Sequence, residues 1–261
     1  MHSFLNKLTQ IIKRKVLTGN VVYLECNLFG LLYKIQSRYP EKTISDFLNI
    51  FLNIQKKKGL LITPSFSYSW GNDKKNKKFD IDTTKSTSGV FSEYIRNRKI
   101  FFRTNDPMFS CLVFGNKKKF KFVNSNNSFG KNSVYAYLHK KNAFLINFGL
   151  NKFDPTFVHY VEQFFDENFK KIKYRKLFKL RGKYGSNKKI YTHFSFLRSI
   201  KSKYTYEDKN ILNNMIKQKN LYSKKIFGEQ LYICRANDFF KSGIQGLKKN
   251  NNFFIKKEED E

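Results

Sequence analysis

Two adjoining segments decide the fold: the apolar run AFLINF at residues 143–148 and the sequence DPTFVHYVE at residues 154–162. The apolar run is typical of a buried strand. Asp154 has a short oxygen side chain that caps the free amides at a helix start, and Pro155 suits the first helical position because no amide donor is missed there. The two segments therefore predict a strand followed by a helix that begins at Asp154.

The predicted helix carries three polar side chains on one face. Thr156, His159 and Glu162 recur at intervals of three residues, so they share one side of a helix that turns about 100° per residue. His159 lies near the positive end of the helix dipole, which disfavours imidazolium and leaves the ring neutral, as a general base requires. A polar helix face exposed to water would have the same spacing, and this alternative stays open.

A metal site is the second chemistry that this spacing raises. The helix offers His159 and Glu162, but a catalytic zinc needs a third protein ligand. Neither His-x-x-His nor Cys-x-x-Cys occurs in the chain. We therefore expect no metal.

Apolar runs and helical segments alternate along the chain. Strands are expected at residues 21–24, 60–62, 100–102, 110–114, 143–148 and 228–235, and further helices at residues 1–18, 44–55 and 206–225. This alternation predicts a single layered α/β domain over residues 1–255, with a central mixed sheet flanked by helices. The charged segment at residues 256–261 is expected to be a disordered tail.

Composition fits one globular domain in a reducing compartment. The 261 residues are 40% hydrophobic and 17% aromatic, which is enough to fill a sizeable core. Cys26, Cys111 and Cys234 are an odd number without close pairing, which argues against a disulfide scaffold. Because no run of 18 apolar residues occurs, no segment is long enough to span a bilayer. We expect a cytoplasmic protein without a membrane partner.

The positive charge is a weak guide to function. The chain has 51 Lys and Arg against 20 Asp and Glu, a formal charge of +31, which is typical of nucleic-acid binding. However, Lys, Asn, Phe, Ile and Tyr are all in excess, as in a chain encoded by AT-rich codons. The basic residues are scattered, and no recognition helix, zinc-finger spacing or RNA-binding aromatic motif accompanies them. We expect a solvated basic surface and do not favour nucleic acid as a partner.

Several short blocks follow one another between about Gly19 and Gly243. They are Gly19–Tyr23 before a turn that ends at Gly30, Leu60–Phe66, Phe79–Asp80 with Thr84, Ser86, Gly89, Glu93, Tyr94 and Arg96, Arg103–Pro107 with Ser110 and Gly115, Phe129–Ser133, Thr156–Glu162 and Tyr174–Phe178. In these blocks and their order the chain resembles the aminoglycoside 3-N-acetyltransferase family, whose members move an acetyl group from acetyl-CoA to an amine. Each block is weak alone, but their colinear order is specific.

The resemblance implies direct acetyl transfer while both substrates are bound, without an acetyl-enzyme. His159 would be the general base that takes a proton from the substrate amine. Glu162 would orient its ring or stabilise its charged form, and Thr156 would donate to the thioester oxygen or cap the helix. Acetyl-CoA would lie in a groove formed by the early turn, the Pro64 loop and the Arg103 loop.

The resemblance also implies contacts for each substrate. Coenzyme contacts are expected from Asn27, Phe29, Gly30, Thr63, Ser65, Arg103 and Ser110, and contacts to the amine substrate from Tyr68, Asp80 and Glu93. Arg103 is the candidate phosphate ligand, since a guanidinium fixed by the Pro107 turn makes bidentate contacts. An ion pair with Glu93 or Asp106 would explain Arg103 equally well. The hydroxyl groups could also cap backbone groups.

Two blocks depart from the family pattern and bear on coenzyme contacts. Many members have His-Ser-Ser in the early turn, where this chain has Glu25-Cys26-Asn27, and many have His-Pro where it has Asp106-Pro107. Cys26 is expected to be a small buried residue rather than a nucleophile, because no histidine lies near it in the sequence. His139 and His193 are expected to be structural or exposed.

The expected function is acetyl transfer to the amine of an amino sugar. A surface of +31 repels a polycationic aminoglycoside and attracts an anionic nucleotide-linked sugar, so we favour the nucleotide-linked sugar, used in surface glycan synthesis. The alternatives are an aminoglycoside 3-N-acetyltransferase that confers antibiotic resistance, a basic nucleic-acid-binding protein without catalysis, and a relative that binds coenzyme A without turnover. The sequence leaves a homodimer open.

Overall fold

Helices and strands alternate through most of the chain. The computed structural model describes residues 2–17, 19–34, 40–55, 59–71, 74–116, 120, 125–198 and 203–257. The helices are α1 (His2–Lys15), α2 (Phe29–Lys34), α3 (Pro40–Gln55), α4 (Val90–Arg96), α5 (Val134–Lys140), α6 (Val158–Asn168), α7 (Lys209–Lys217) and α8 (Ala236–Lys249). The strands are β1 (Val21–Cys26), β2 (Leu60–Pro64), β3 (Lys78–Phe79), β4 (Phe102–Arg103), β5 (Cys111–Gly115), β6 (Phe144–Phe148), β7 (Arg175–Tyr184), β8 (Tyr191–Arg198), β9 (Tyr204–Tyr206), β10 (Leu221–Ile226), β11 (Glu229–Arg235) and β12 (Ile255–Lys257).

A central sheet has seven strands in the order β10-β11-β6-β1-β2-β5-β4. The three middle strands, β6, β1 and β2, are parallel. The outer strands on both sides are antiparallel to their neighbours. The expected mixed sheet is therefore confirmed. The carboxyl ends of the parallel strands meet at one edge, which is where open α/β sheets bind ligands.

The central sheet separates two hydrophobic cores, because successive side chains of a strand point to opposite faces. Leu145 packs in one core, whereas its neighbours Phe144 and Ile146 pack in the other. The first core contains buried residues of α5, α6, α7 and α8. The second contains buried residues of α1, α2, α3 and α4. Helices thus cover both faces of the sheet, as the layered prediction requires.

Two smaller sheets lie outside the central one. β7 pairs with β3 and forms an antiparallel ladder with β8, and β9 pairs with β12. The sequence analysis predicted none of these strands. In β7 buried positions alternate with exposed basic ones, so the strand has no apolar run that would have indicated it. Its first residue, Arg175, is buried and reaches α6.

Several sequence predictions need correction. The helix expected over residues 206–225 is only α7, because Lys219 adopts a left-handed φ of 57° and the chain then turns into β10. The helix expected to begin at Asp154 begins at Val158, after a turn. The strand expected at residues 100–102 contains only Phe102 and continues to Arg103. The C-terminal helix α8 was not predicted.

The predicted start of the disordered tail, residue 256, is two residues too early. Lys256 and Lys257 belong to β12, where they pair with Thr205 and Tyr204, and residues 258–261 lie outside the described part of the chain. Among the helices that the structure describes, none is both long enough and apolar enough to cross a membrane.

A close backbone approach in β7 gives a test of this packing. A methyl group on Gly182 would lie 2.5 Å from the backbone oxygen of Lys77 and from Nε1 of the fully buried Trp70. We expect Gly182→Ala to lower the free energy of unfolding in urea by about 1–3 kcal/mol, as overpacking does. Lys179→Ala, at an exposed position of the same strand, is the control and should change it by less than about 0.5 kcal/mol. Equal stability of the two variants would contradict this packing.

Candidate active site

A tight turn leads into α6 and sets the position of His159. The amides of Val158 and His159 donate to the carbonyls of Pro155 and Thr156 at 2.9 and 3.1 Å. These bonds span three residues, so regular α-helix begins only at Val158 and Asp154 does not cap it. Thr156 therefore precedes the helix, whereas His159 and Glu162 lie one turn apart within it, as predicted.

A buried carboxylate, Glu162, organises the residues around His159. The Glu162 side chain is 1% exposed, and its Oε2 lies 2.7 Å from Nε of Arg175 as an ion pair. His159 Nδ1 is 3.1 Å from the same oxygen, and the hydroxyl of Tyr174 donates to Oε1 at 2.8 Å. Burial alone would raise the pKa of Glu162, but Arg175 and the bonds from His159 and Tyr174 hold it below its usual value.

These contacts define the protonation state of His159. An ionised carboxylate only accepts hydrogen bonds, so Nδ1 carries the ring proton and Nε2 keeps the lone pair. Arg175 Nη2 lies 3.5 Å from Nε2. Burial, and then the charge of Arg175, lower the pKa of His159 to about 4. The ring is thus neutral, as predicted, and burial and the nearby arginine are the main causes.

Glu25, at the carboxyl end of β1, accepts hydrogen bonds from three residues. Thr156 donates both its amide, at 3.1 Å from each carboxylate oxygen, and its hydroxyl, at 2.5 Å from Oε1. The Tyr23 hydroxyl donates to Oε1 at 3.0 Å and Asn147 Nδ2 to Oε2 at 3.1 Å. Burial raises the pKa of Glu25 to about 7, although the bonds from Thr156 lower it. In the structure Thr156 thus binds Glu25 and caps no helix.

A cavity of about 470 Å³ opens beside Glu25. It is lined by Glu25, Cys26, Pro64, Phe66, Tyr68, Thr87, Ser88, Ser92, Leu150, Asn151, Lys152 and Asp154. Asp154 is exposed to this space, yet the cavity walls exclude enough water to raise its pKa to about 6, and repulsion by Glu162 adds to this. Burial, with Glu25 and Asp154 next, raises the pKa of Tyr68 to about 12. The cavity therefore contains two carboxyl groups and a neutral phenol.

The coenzyme residues predicted on β2 and after it lie inside the protein. Thr63, Ser65 and Ser110 are at most 1% exposed, whereas the alternate residues Pro64 and Phe66 line the cavity. Side chains in an extended segment alternate between two sides, so Thr63 and Ser65 point away from the side that Pro64 and Phe66 line. The Ser110 hydroxyl donates to the Ser65 carbonyl at 2.5 Å and thus braces the loop, whereas the hydroxyls of Thr63 and Ser65 are buried without a hydrogen-bond partner among the described residues.

The Arg103 side chain also makes its hydrogen bonds within the protein. Its guanidinium donates to the Ser110 hydroxyl at 3.0 Å, to the Ser65 carbonyl at 2.6 Å and to the Thr84 carbonyl. Burial lowers its pKa to about 10. Of the two proposed ion-pair partners, Glu93 pairs with Arg96 and Asp106 with His193. These contacts favour an internal brace over a phosphate ligand.

The remaining predicted contacts are divided between the cavity edge and the loops. Asn27 accepts from the Phe29 amide at 3.0 Å, so it caps α2, and Phe29 is 71% exposed. Gly30 packs against the Glu229 carboxylate. Among the three predicted substrate contacts only Tyr68 lines the cavity. The other two hold loop segments: Asp80 accepts from the amides of Asp82 and Thr83, and Glu93 accepts from the amide of Ser86.

The other histidines have structural surroundings. His193 is fully buried, with Nε2 at 3.2 Å from Asp106 Oδ1 and 2.9 Å from the Ser128 hydroxyl. His139, at the end of α5, stacks on Phe240 with ring centroids 3.9 Å apart. Within the described ranges no three His, Cys, Asp or Glu side chains come together in a way that could hold a metal ion.

Comparison with known proteins identifies the family. The sequence profile described as aminoglycoside 3-N-acetyltransferase matches residues 39–248, which is more than half of the chain. The chain belongs to the aminoglycoside 3-N-acetyltransferase family. The resemblance found in the sequence is confirmed, and the protein is an N-acetyltransferase that uses acetyl-CoA and acetylates an amine. No curated protein sequence gives a significant match.

Solved structures of several other proteins have the same fold. The apoenzyme of aminoglycoside acetyltransferase AAC(3)-IVa has a TM-score of 0.71 at 13% identity, over 96% of this chain and 90% of that one. AAC-IIIb in its binary complex with CoASH has a TM-score of 0.73 at 14% identity, over 94% and 96%. YokD protein from Bacillus subtilis has 0.70 at 14% identity, over 94% and 99%.

For this N-acetyltransferase, the sequence did not reveal the residues that contact His159 and Glu162. Arg175 and Tyr174 belong to a block that supported the resemblance, but neither received a role because their distance from Glu162 along the chain hides the contact. Glu25 was noted only as a departure from the family pattern. Its place at the carboxyl end of a strand was a signal, since that edge carries ligand sites.

The electrostatics around His159 can be tested by NMR titration of the histidine rings. We expect His159 in the wild-type enzyme to titrate well below its usual range and Arg175→Met to raise its pKa, because Arg175 disfavours the imidazolium. His139 is the internal control, since burial alone lowers its pKa. An unchanged His159 titration in the variant would contradict the assigned contact.

Proposed function

We propose that this enzyme acetylates the amino group of an amino sugar by direct transfer, with His159 as the general base. The observation that carries the proposal is the neutral His159 ring, held through Nδ1 by the buried Glu162 carboxylate. Thr156 connects this helix start to Glu25, which lines the cavity together with Asp154. His159 does not itself line this cavity, but its amide bonds to the Thr156 carbonyl and the Thr156 hydroxyl bonds to Glu25, so the base lies two hydrogen bonds from the cavity wall.

The proposed chemistry uses the lone pair on Nε2 of His159. Acetyl-CoA supplies the acetyl thioester. As the amine nitrogen attacks, Nε2 takes one of its protons, and Glu162 stabilises the imidazolium through Nδ1. The leaving sulfur then receives the proton from Nε2. Because the ring has a pKa of about 4 before substrates bind, the carboxylate is needed to make it an effective base.

The cavity is suited to the reacting ends of both substrates. Its volume of about 470 Å³ lies within the usual range of small-molecule sites, roughly 300–1,000 Å³. Thr87, Ser88 and Ser92 bring hydroxyl groups to its wall, and hydroxyls are fitting partners for the amides of an acyl-pantetheine arm. Glu25 and Asp154 are fitting partners for an amine.

The charge inside the cavity favours a cationic sugar. Two carboxyl groups, Glu25 and Asp154, stand beside a single lysine, Lys152, although the whole chain carries +31. Local charges outweigh distant, screened ones, so the cavity shifts our preference from a nucleotide-linked sugar to a polyamine sugar. A variant of AAC(3)-IVa has been crystallised with a gentamicin and with apramycin. A nucleotide-linked amino sugar for glycan synthesis stays the second candidate, favoured by the basic surface.

The role of His159 predicts a selective loss of turnover. We expect His159→Ala to lower kcat by about 10²- to 10⁴-fold, the usual contribution of a general base, and to leave coenzyme A affinity unchanged. The measurement is thiol release from acetyl-CoA with a panel of aminoglycosides and UDP- and dTDP-linked amino sugars. His139→Ala is the matched control and should keep wild-type turnover.

Each outcome of this assay has a separate meaning. Turnover on only one class of amine would decide between aminoglycosides and nucleotide-linked amino sugars as the substrate. Equal activity of His159→Ala and the wild type would remove His159 from the mechanism. Absence of wild-type turnover on every amine tested would contradict the amino-sugar proposal.

The role of Asp154 predicts a change in KM for the amine. Asp154 ionises as the pH rises through about 6, so KM for a cationic amine should fall over that range. Asp154→Asn should raise this KM on the order of 10-fold above pH 7, because a charged hydrogen bond contributes roughly 1.5–3 kcal/mol, and should flatten its dependence on pH. KM for acetyl-CoA is the internal control. An unaltered amine KM would mean that Asp154 does not contact the substrate.

A further inference from the structure

The proton balance of the proposed reaction requires a second acceptor. An ammonium, R–NH3+, reacts with the thioester to give the amide R–NH–COCH3, the thiol and one free proton. The nitrogen loses two protons: one before it can attack, because an ammonium has no lone pair, and one as the new bond forms. His159 moves the second proton, which ends on the leaving sulfur. The first proton leaves by another route.

Glu25, which lines the cavity, and Thr156 beside it offer such a route. Thr156 is a half-buried residue, and its hydroxyl donates to Glu25 Oε1 at 2.5 Å. A hydroxyl can donate one hydrogen bond while it accepts another. It can therefore receive a proton from an ammonium in the cavity and pass its own proton to the carboxylate.

We propose that Glu25 accepts the first proton of the substrate ammonium through the hydroxyl of Thr156. The N–H bond of the ammonium breaks and its proton moves to Thr156 Oγ1, while the Oγ1 proton moves to Glu25 Oε1. The nitrogen keeps the electron pair and becomes the nucleophile, and Glu25 becomes a neutral carboxylic acid. Glu25 later releases this proton to solvent in the cavity, which restores the carboxylate. The inference rests on the proposed function.

The surroundings of Glu25 can accommodate both protonation states. When Glu25 is ionised, the Tyr23 hydroxyl donates to it. When Glu25 is protonated, that hydroxyl can turn to Tyr135, whose oxygen lies 3.3 Å away. Asn147 and the Thr156 amide hold the carboxyl group in place throughout. The proton therefore changes hydroxyl orientations rather than the packing.

The charges that face Glu25 suit a group that exchanges protons near neutral pH. Burial raises the pKa of Glu25 to about 7 and nearby Asp154 raises it further, while bonds from Thr156 and Tyr23 lower it. The titratable groups facing it are Tyr23 and Cys26 of β1, Cys111 of β5, Tyr135 of α5, Tyr68, Asp154 and Tyr206, with Lys152 also in the cavity wall. Of these, Asp154 and Lys152 carry charge at neutral pH. A bound ammonium adds a positive charge and favours the ionised, accepting form of Glu25.

A pH–rate profile of Glu25→Gln tests the proposal. We expect kcat/KM for the amine to fall at least about 10-fold at pH 7, within the range of general-base contributions. The deficit should shrink toward wild type as the pH rises above the pKa of the amine, because the substrate then arrives without the first proton. Thr156→Val should reproduce this pattern, and Thr156→Ser should restore most of the rate.

The matched control is Glu229→Gln. Glu229 is 8% exposed and Glu25 is 7% exposed, and Glu229 pairs with Lys34 rather than with the turn before α6. It should keep the wild-type profile. Circular dichroism and coenzyme A binding check that each variant is folded, and Thr156→Val carries the test if Glu25→Gln is unstable.

Three outcomes would overturn the inference or its basis. A deficit of the same size at every pH would mean that Glu25 only positions the turn. A wild-type rate for Glu25→Gln at pH 7 would mean that the enzyme binds the free amine and needs no first acceptor. Failure of the wild-type enzyme to acetylate any amino sugar would instead overturn the proposed function on which the inference rests.

Discussion

The ion pair between Glu162 and Arg175 is the contact on which the proposed catalytic arrangement depends. It joins α6, which carries His159, to the first residue of β7, and both side chains are less than a tenth exposed. Loss of one partner of a buried pair leaves an uncompensated charge, which costs roughly 3–5 kcal/mol. The pair therefore fixes the distance between α6 and the β3-β7-β8 sheet, and through Nδ1 it also fixes which nitrogen of His159 keeps its lone pair.

The carboxyl edge of the parallel strands explains why the cavity is lined by two acidic residues. Glu25 and Asn147 are the next-to-last residues of two neighbouring strands, β1 and β6, and they are directly paired in the sheet. The turn before α6 follows soon after β6, so Thr156 and Asp154 return to the same edge. Acidic groups from two separate parts of the sequence thus meet because the strands are parallel and adjacent, not because they are close in the chain.

The sequence predicted the strands with continuous apolar runs, such as β2 and β6, because strands buried on both faces need no polar positions. It did not predict β7, because the many basic residues of that strand are typical of a solvated segment. Spacing alone predicted that His159 and Glu162 share a helix face. It could not reveal Arg175 as their partner, since that contact forms only when the outer sheet packs against α6. Thr63 and Ser65 alternate with Pro64 and Phe66 in the sequence, but alternation alone does not tell which pair lines the cavity.

The close contact at Gly149 has a consequence for how this chain can vary. Gly149 follows β6 with a left-handed φ of 68°, and an added methyl group would overlap the backbone oxygen of Asn27, the residue after β1. A mutational bias toward AT-rich codons can replace surface residues with lysine and asparagine at little cost in stability. At Gly149 the same bias would introduce a side chain that clashes with the backbone oxygen of Asn27. Substitutions are therefore tolerated over much of the surface but not at Gly149, next to the carboxyl ends of β1 and β6. This edge of the sheet can persist while the composition of the surface changes.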